Sequence, residues 1–270
     1  MNAILQTLSD GHVVATRNLI KIKRVPDLLV ATTMSPIMFI LLFAYVFGGA
    51  IGGAAGAEGY REFLIAGIFA QTVIFGATIT GAGIAEDIRK GIIDRFRSLP
   101  MSPSAVLLGR TMADVVNNVI VLVVMSVTGL LVGWRIRTSV LEAVGAFLLL
   151  LVFAYAISWV MAYIGMLVPS PEVLNNAAFM VIFPLTFIAN TFVPLETLPR
   201  PLQVFAEWNP VSTVTQAARE LFGNIPAGAP PVSDAWSMQH PVLYTLIWAV
   251  IVVIVFYPLS TARYRSAASR

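Results

Sequence analysis

Six stretches of this chain run for twenty residues or more without Asp, Glu, Lys or Arg: 28–57, 63–85, 115–134, 143–171, 173–195 and 235–262. A hydrocarbon core about 30 Å thick takes roughly 20 apolar residues in helix to cross, because lipid offers the backbone nothing to bond to. The stretches predict an all-α integral membrane protein with transmembrane helices near 28–47, 61–85, 105–132, 142–168, 173–193 and 242–260. Six crossings return both termini to one side. Composition agrees, since 58% of the residues are hydrophobic and 11% charged, against roughly 25% charged in soluble domains.

Lys and Arg resist translocation, so their placement orients the bundle. With the N-terminus inside, the inner segments hold Arg17, Lys21, Lys23, Arg24, Arg89, Lys90, Arg95, Arg97, Arg110, Arg263, Arg265 and Arg270, twelve of the 17 basic residues. The outer segments hold the other five, Arg61, Arg135, Arg137, Arg200 and Arg219. Arg135 and Arg137 run against the rule locally, but the balance predicts both termini in the cytoplasm and a multi-pass protein of the cell (inner) membrane. The net charge of +3 is then a topology signal, and no nucleic-acid partner is expected. A cleaved leader is not expected either, because the first apolar run is too long and begins more than twenty residues in.

Several chemistries are excluded. There is no cysteine, hence no disulfide, thiolate ligand or thiol nucleophile. A phosphate-binding P-loop needs Lys followed by Ser or Thr, but Lys21, Lys23 and Lys90 precede Ile22, Arg24 and Gly91. His12 and His240 lie near opposite ends, and neither has a second histidine at helical spacing, so no metal site or catalytic set is expected. The whole of 1–270 reads as one membrane domain that needs a partner for any energy-consuming step.

Four regions carry the interest. In the loop 86–104, Ile88, Ile92, Phe96 and Leu99 fall at helical spacing, with Arg89, Lys90, Asp94, Arg95 and Arg97 around the other faces, and Pro100 ends the run. Such a helix either lies on the lipid surface or docks in a groove of another protein. The N-terminal segment 1–27 has a broken apolar face and a basic stripe, Arg17, Lys21 and Arg24, suited to the inner leaflet. In the third span Arg110 and Asp114 stand four apart on one helix face. They read as a structural pair near the cytoplasmic headgroups. Asn117 and Asn118 lie deeper, facing either a pathway or a helix interface. Finally, Pro194, Pro199, Pro201, Pro210, Pro226, Pro230 and Pro231 preclude one long helix across 194–241.

Two of these regions carry a resemblance. The run Glu86 through Gly91, Arg95, Leu99-Pro100-Met101-Ser102 and Gly109-Arg110 resembles the cytoplasmic loop of type 2 ABC exporter permeases, and within them the daunorubicin-resistance branch. Phe192-Val193-Pro194, Leu198-Pro199, Asn209-Pro210 and Arg219-Glu220-Leu221-Phe222-Gly223 are similar to that family's external segment before the last helix. The resemblance implies a coupling helix at about 88–99 seated in a separate ABC ATPase subunit, which would hold the ATP and Mg. Ile88, Ile92, Phe96 and Leu99 would be apolar anchors, with Arg95 and Arg97 as polar contacts. It also implies a second permease copy, identical or related, and an external re-entrant lid carrying Phe192, Leu198 and Phe205. The expected cargo is an amphiphilic drug, lipid or glycoconjugate, passing near Asp114, Asn117 and Asn118. A secondary transporter or channel is the alternative, although Asp114 is the only midplane acid it would have.

Overall fold

The computed structural model describes residues 26–48, 56–92, 103–225 and 232–266, together with Gly11, Val13, Ala15 and Thr16. The described residues are all helical or connecting. Helix α1 spans Pro26–Leu41 and continues as a π-helical segment, Leu42–Phe47. Then come α2 (Gly56–Arg89), α3 (Pro103–Val132), α4 (Val140–Gly165) and α5 (Pro171–Phe187). After a short 3-10 turn, Leu195–Thr197, follow α6 (Arg200–Trp208), α7 (Pro210–Phe222), α8 (Trp236–Gln239) and α9 (Pro241–Ser266).

Four of the described helices are long and apolar enough to cross a membrane: Glu58–Arg89, Ala105–Val132, Val140–Gly165 and Pro241–Ser266. The apolar part of the first helix, Thr33–Val46, is shorter, and α5 has 17 residues. The expected fifth span ran to residue 193, but α5 stops at Phe187. Beyond it the chain is taken over by α7, where Ser212 Oγ accepts from Asn190 N (3.0 Å) and Gln216 Oε1 from Asn190 Nδ2 (3.1 Å). The proline-rich stretch from 194 onward forms the short helices α6, α7 and α8 in place of one long one.

Helix ends follow local chemistry. Ser139 and Glu142 close a capping box on α4, and Asn209 Oδ1 caps α7 through Val211 N at 2.9 Å. Each satisfies donors that a helix start leaves open. Helix α2 is central, packing on α1, α3, α4, α5 and α7, while α9 lies along α4 and α7. Small residues set the α2–α4 approach: a Cβ on Gly165 would stand 2.3 Å from Gly81 O. Lipid supplies no hydrophobic drive between helices, so such close backbone packing is a main source of cohesion.

Candidate translocation cavity and its two ends

Residues 76, 80, 83 and 87 form one stripe of α2 and meet the stripe of 110, 114, 118 and 121 on α3. At its lower end Arg110 Nη1 donates to Asp87 Oδ2, both side chains largely buried. The expected pairing of Arg110 with Asp114 is therefore replaced by a pair between helices. Gly83 makes it possible, since a Cβ there would stand 1.6 Å from Arg110 Nη2. Higher up, Asn118 Nδ2 donates to Asp114 O at 3.0 Å. Asp114 Oδ2, Asn118 Oδ1 and Thr80 Oγ1 are buried without a hydrogen-bond partner among the described residues. Unpaired buried acceptors are costly, so the seam has capacity for a water or a ligand group.

Above the seam opens a cavity of about 380 Å³ between α1, α2, α3 and α5. Gln71, Thr72, Asn117, Asn118 and Ser35 supply amides and hydroxyls, and Phe39, Phe75, Phe179 and Phe183 supply rings. No charged side chain lines it among the described residues. The rings continue a stack: Phe179 to Phe183 is 5.0 Å between centroids, Phe183 to Phe187 4.2 Å, Phe187 to Phe192 4.7 Å and Phe192 to Phe43 4.7 Å. Asn117 and Asn118 thus reach the cavity wall, whereas Asp114 lies below it in the seam. Phe39, Phe75, Phe179 and Phe183 were not singled out from sequence. Their one local signal is the i, i+4, i+8 spacing of Phe179, Phe183 and Phe187.

At the upper end the three expected lid residues part company. Phe192 is buried within the stack, between Phe187 and Phe43, its carbonyl accepting from Tyr60 Oη at 3.2 Å. Leu198 packs beside Leu195, Ala206 and Met238. Phe205 is half exposed on α6 with Leu202, Val204 and Trp208; α6 is amphipathic and leaves that apolar face uncovered.

Arg219, counted above as a loop charge, is buried. Its Nε donates to Phe63 O at 2.8 Å, its Nη2 to Thr191 O at 3.2 Å, and the guanidinium lies 3.4 Å from the Phe63 ring centroid. It fastens α7 to α2 and to the chain leaving α5. The loop 133–139 is tied to the same helix: Arg137 N donates to Phe222 O (2.9 Å), Thr138 Oγ1 to Leu221 O (2.6 Å) and Trp134 Nε1 to Asn224 Oδ1 (2.7 Å). Arg137 also grips Glu62 through Nε and Nη2, at 2.9 and 2.7 Å to Oε1, which holds its guanidinium above the ordinary range. Of the two arginines that oppose the charge rule, Arg137 thus has a carboxylate of its own, while Arg135 donates to Leu130 O and Trp134 O.

At the lower end α2 closes on Gly91, whose φ of +64 is a left-handed cap that glycine takes without strain. Ile88 therefore belongs to the last turn of α2, while Ile92 follows the turn, so the expected stripe does not run as one helix from Ile88. Arg95, Phe96, Arg97 and Leu99 lie outside the described residues, as does most of the N-terminal segment. A Cβ at Gly11 would stand 3.5 Å from Ala105 O, placing that part of the segment against the start of α3. Glu86 pairs with Arg89 at 2.6 Å and Lys90 at 2.7 Å, and Arg89 reaches Glu172 of α5 at 3.8 Å.

Residues 11–222 match the ABC-2 type transporter family. The chain belongs to that family. It is similar to the daunorubicin resistance ABC transporter permease protein DrrB1 of Streptomyces coeruleorubidus, 35% identical over 205 residues, 76% of this chain and 72% of that one. The doxorubicin resistance ABC transporter permease protein DrrB of Mycobacterium tuberculosis is 27% identical over 198 residues, 73% of this chain and 68% of its own. The putative transport permease ycf38 of Cyanophora paradoxa is 22% identical over 219 residues, 80% of this chain and 75% of its own. The chain is thus a multi-pass membrane permease subunit of an ABC exporter. For an ABC-2 permease, the cavity between α1, α2, α3 and α5 is the candidate path, and the turn at Gly91 leads into the segment expected to meet an ATPase.

Proposed function

We propose that this permease exports planar aromatic amphiphiles, of the kind its relatives' names record as daunorubicin and doxorubicin. The observation that carries this is the cavity, where four phenylalanines face amides and hydroxyls without a charged side chain. Stacked rings contribute roughly 0.5–1.5 kcal/mol each beyond burial, and a few polar groups fix orientation. Six spans with both termini in the cytoplasm place the seam and Gly91 inside and α6–α8 outside. A separate ABC ATPase binds the segment after Gly91 through Ile92, Phe96 and Leu99, with Arg95 and Arg97 as polar contacts. A second copy seats against the exposed apolar residues of α1 (Met34, Met38) and α5 (Phe179, Met180), making each cavity half of a shared path.

The test is doxorubicin efflux from inverted vesicles carrying the permease and its ATPase. ATP-dependent, vanadate-sensitive uptake is the expected result. Uptake driven by a proton gradient without ATP would support the secondary-transporter reading and overturn this one.

A further inference from the structure

A second space, about 360 Å³, lies on the other side of α5 from the cavity. Phe179 and Phe183 of α5 face the cavity, whereas Ala177, Ala178, Val181 and Leu185 line this slot. Its other walls come from α2, α4 and α9, and every lining side chain among the described residues is apolar. Water has no polar partner to hold it there, and an empty space of this size would leave the lining without dispersion contacts. The slot runs along α4 from Phe153 to Ile164, eleven residues or about 16 Å at ~1.5 Å per residue. That is the depth of one leaflet, half of a hydrocarbon core about 30 Å thick. Pro210 and Val211, at the start of α7, close one end.

The slot opens sideways between α5 and α9, which make no substantial contact with each other among the described residues. Its rim is continuous with the lipid-facing surface of a multi-pass protein: Val181 is 65% exposed and Ile251 55%. Along α9, Val252 and Phe256 line the slot, and Arg263 follows on the same helix face, seven residues or about 10 Å beyond Phe256. Arg263 Nε is buried with no hydrogen-bond partner among the described residues. Hydrophobic length, lateral opening and a cation at the end away from Pro210 together match one amphiphile.

We propose that the slot between α4, α5 and α9 holds one acyl chain of an anionic inner-leaflet phospholipid, with its phosphate against Arg263. The leaflet assignment rests on the orientation proposed above. The chain backs α5, so a resident lipid sets the position of the helix that carries Phe179 and Phe183 into the cavity. Exporter function then depends on lipid composition through α5.

Native mass spectrometry of the full-length permease, released from micelles containing phosphatidylglycerol or phosphatidylcholine, tests this. One phosphatidylglycerol per chain should stay bound. Ala177→Phe and Val181→Phe, both filling the slot from its exposed rim, should each lower retention roughly tenfold. Leu148→Phe, exposed on α4 outside the slot, should not. Arg263→Gln should abolish the preference for phosphatidylglycerol over phosphatidylcholine. Wild-type retention in both filled variants would overturn the proposal, as would displacement of the lipid by doxorubicin, which would make the slot part of the transport path. Labelling of Arg265→Cys from outside intact cells overturns the orientation and the leaflet assignment, whereas retention by itself decides the slot.

Discussion

Phe183 stands mid-stack in the cavity wall, 5.0 Å from Phe179 and 4.2 Å from Phe187. Replacing it with alanine removes two ring contacts while leaving the amides of Asn117 and Asn118 in place. The half-saturating concentration for an aromatic amphiphile should rise about three- to tenfold, as ring pairs worth ~0.5–1.5 kcal/mol imply, with turnover at saturation little changed. Concentration-dependent efflux kinetics check this; an unchanged half-saturation point would place the path elsewhere. The Arg110–Asp87 pair calls for a different measurement, because removing one charge strands the other. Arg110→Met should lower stability by about 1–3 kcal/mol, between surface and fully buried pairs, and Asp87→Asn added to it should recover part of that loss. A double-mutant cycle on thermal unfolding in detergent reads the coupling, and strictly additive effects would show that the pair contributes nothing.

At the scale of elements, the turn at Gly91 decides how α2 hands over to the segment expected to meet the ATPase. A φ of +64 costs an ordinary L-residue roughly 1–2 kcal/mol, whereas Asn tolerates it. Gly91→Ala should therefore reduce substrate-stimulated ATP hydrolysis, and Gly91→Asn should stay near wild type, with insertion normal in both. Equal loss in the two variants would mean that the backbone conformation is not what matters. Beyond the turn, Ile92→Asp with Phe96→Asp puts charges into any apolar cleft that receives them, so co-purification with the ATPase should fail; co-purification at wild-type yield would leave the segment on the lipid surface. The same region shows what sequence can carry. Runs without charge located α2, α3, α4 and α9 because crossing length is a property of the run itself. Ile88 and Ile92 looked like one stripe because spacing does not reveal the left-handed turn at Gly91 that ends α2 between them. Arg110 found Asp87 because Gly83, on another helix, has no side chain in the way. Arg219 carried no local sign of burial, since its acceptors, Phe63 O and Thr191 O, are 156 and 28 residues away in sequence.

At the scale of the whole molecule, α1 and α5, which both line the cavity, make no substantial contact with each other among the described residues and carry exposed apolar side chains. Met38 is 57% exposed, on a helix that otherwise packs toward α3 and α2, and Met180 75%, on one that otherwise packs toward α2. Lipid would satisfy such a surface, and so would a second copy, which would also close the cavity into a shared path. A chain without cysteine allows the two to be told apart. Met38→Cys and Met180→Cys are placed singly in two differently tagged copies, co-expressed, and treated in the membrane with a short bifunctional thiol reagent. With the copies seated face to face across α1 and α5, the Met38→Cys/Met180→Cys combination should yield a cross-linked pair carrying both tags, and adding the ATPase with nucleotide should change its yield as the halves move. Val250→Cys on α9, an exposed residue far from that face, should give none when paired with Met38→Cys. Cross-linking confined to α9 would move the interface to the opposite side of the bundle, leaving the cavity facing lipid and the shared path without a second wall.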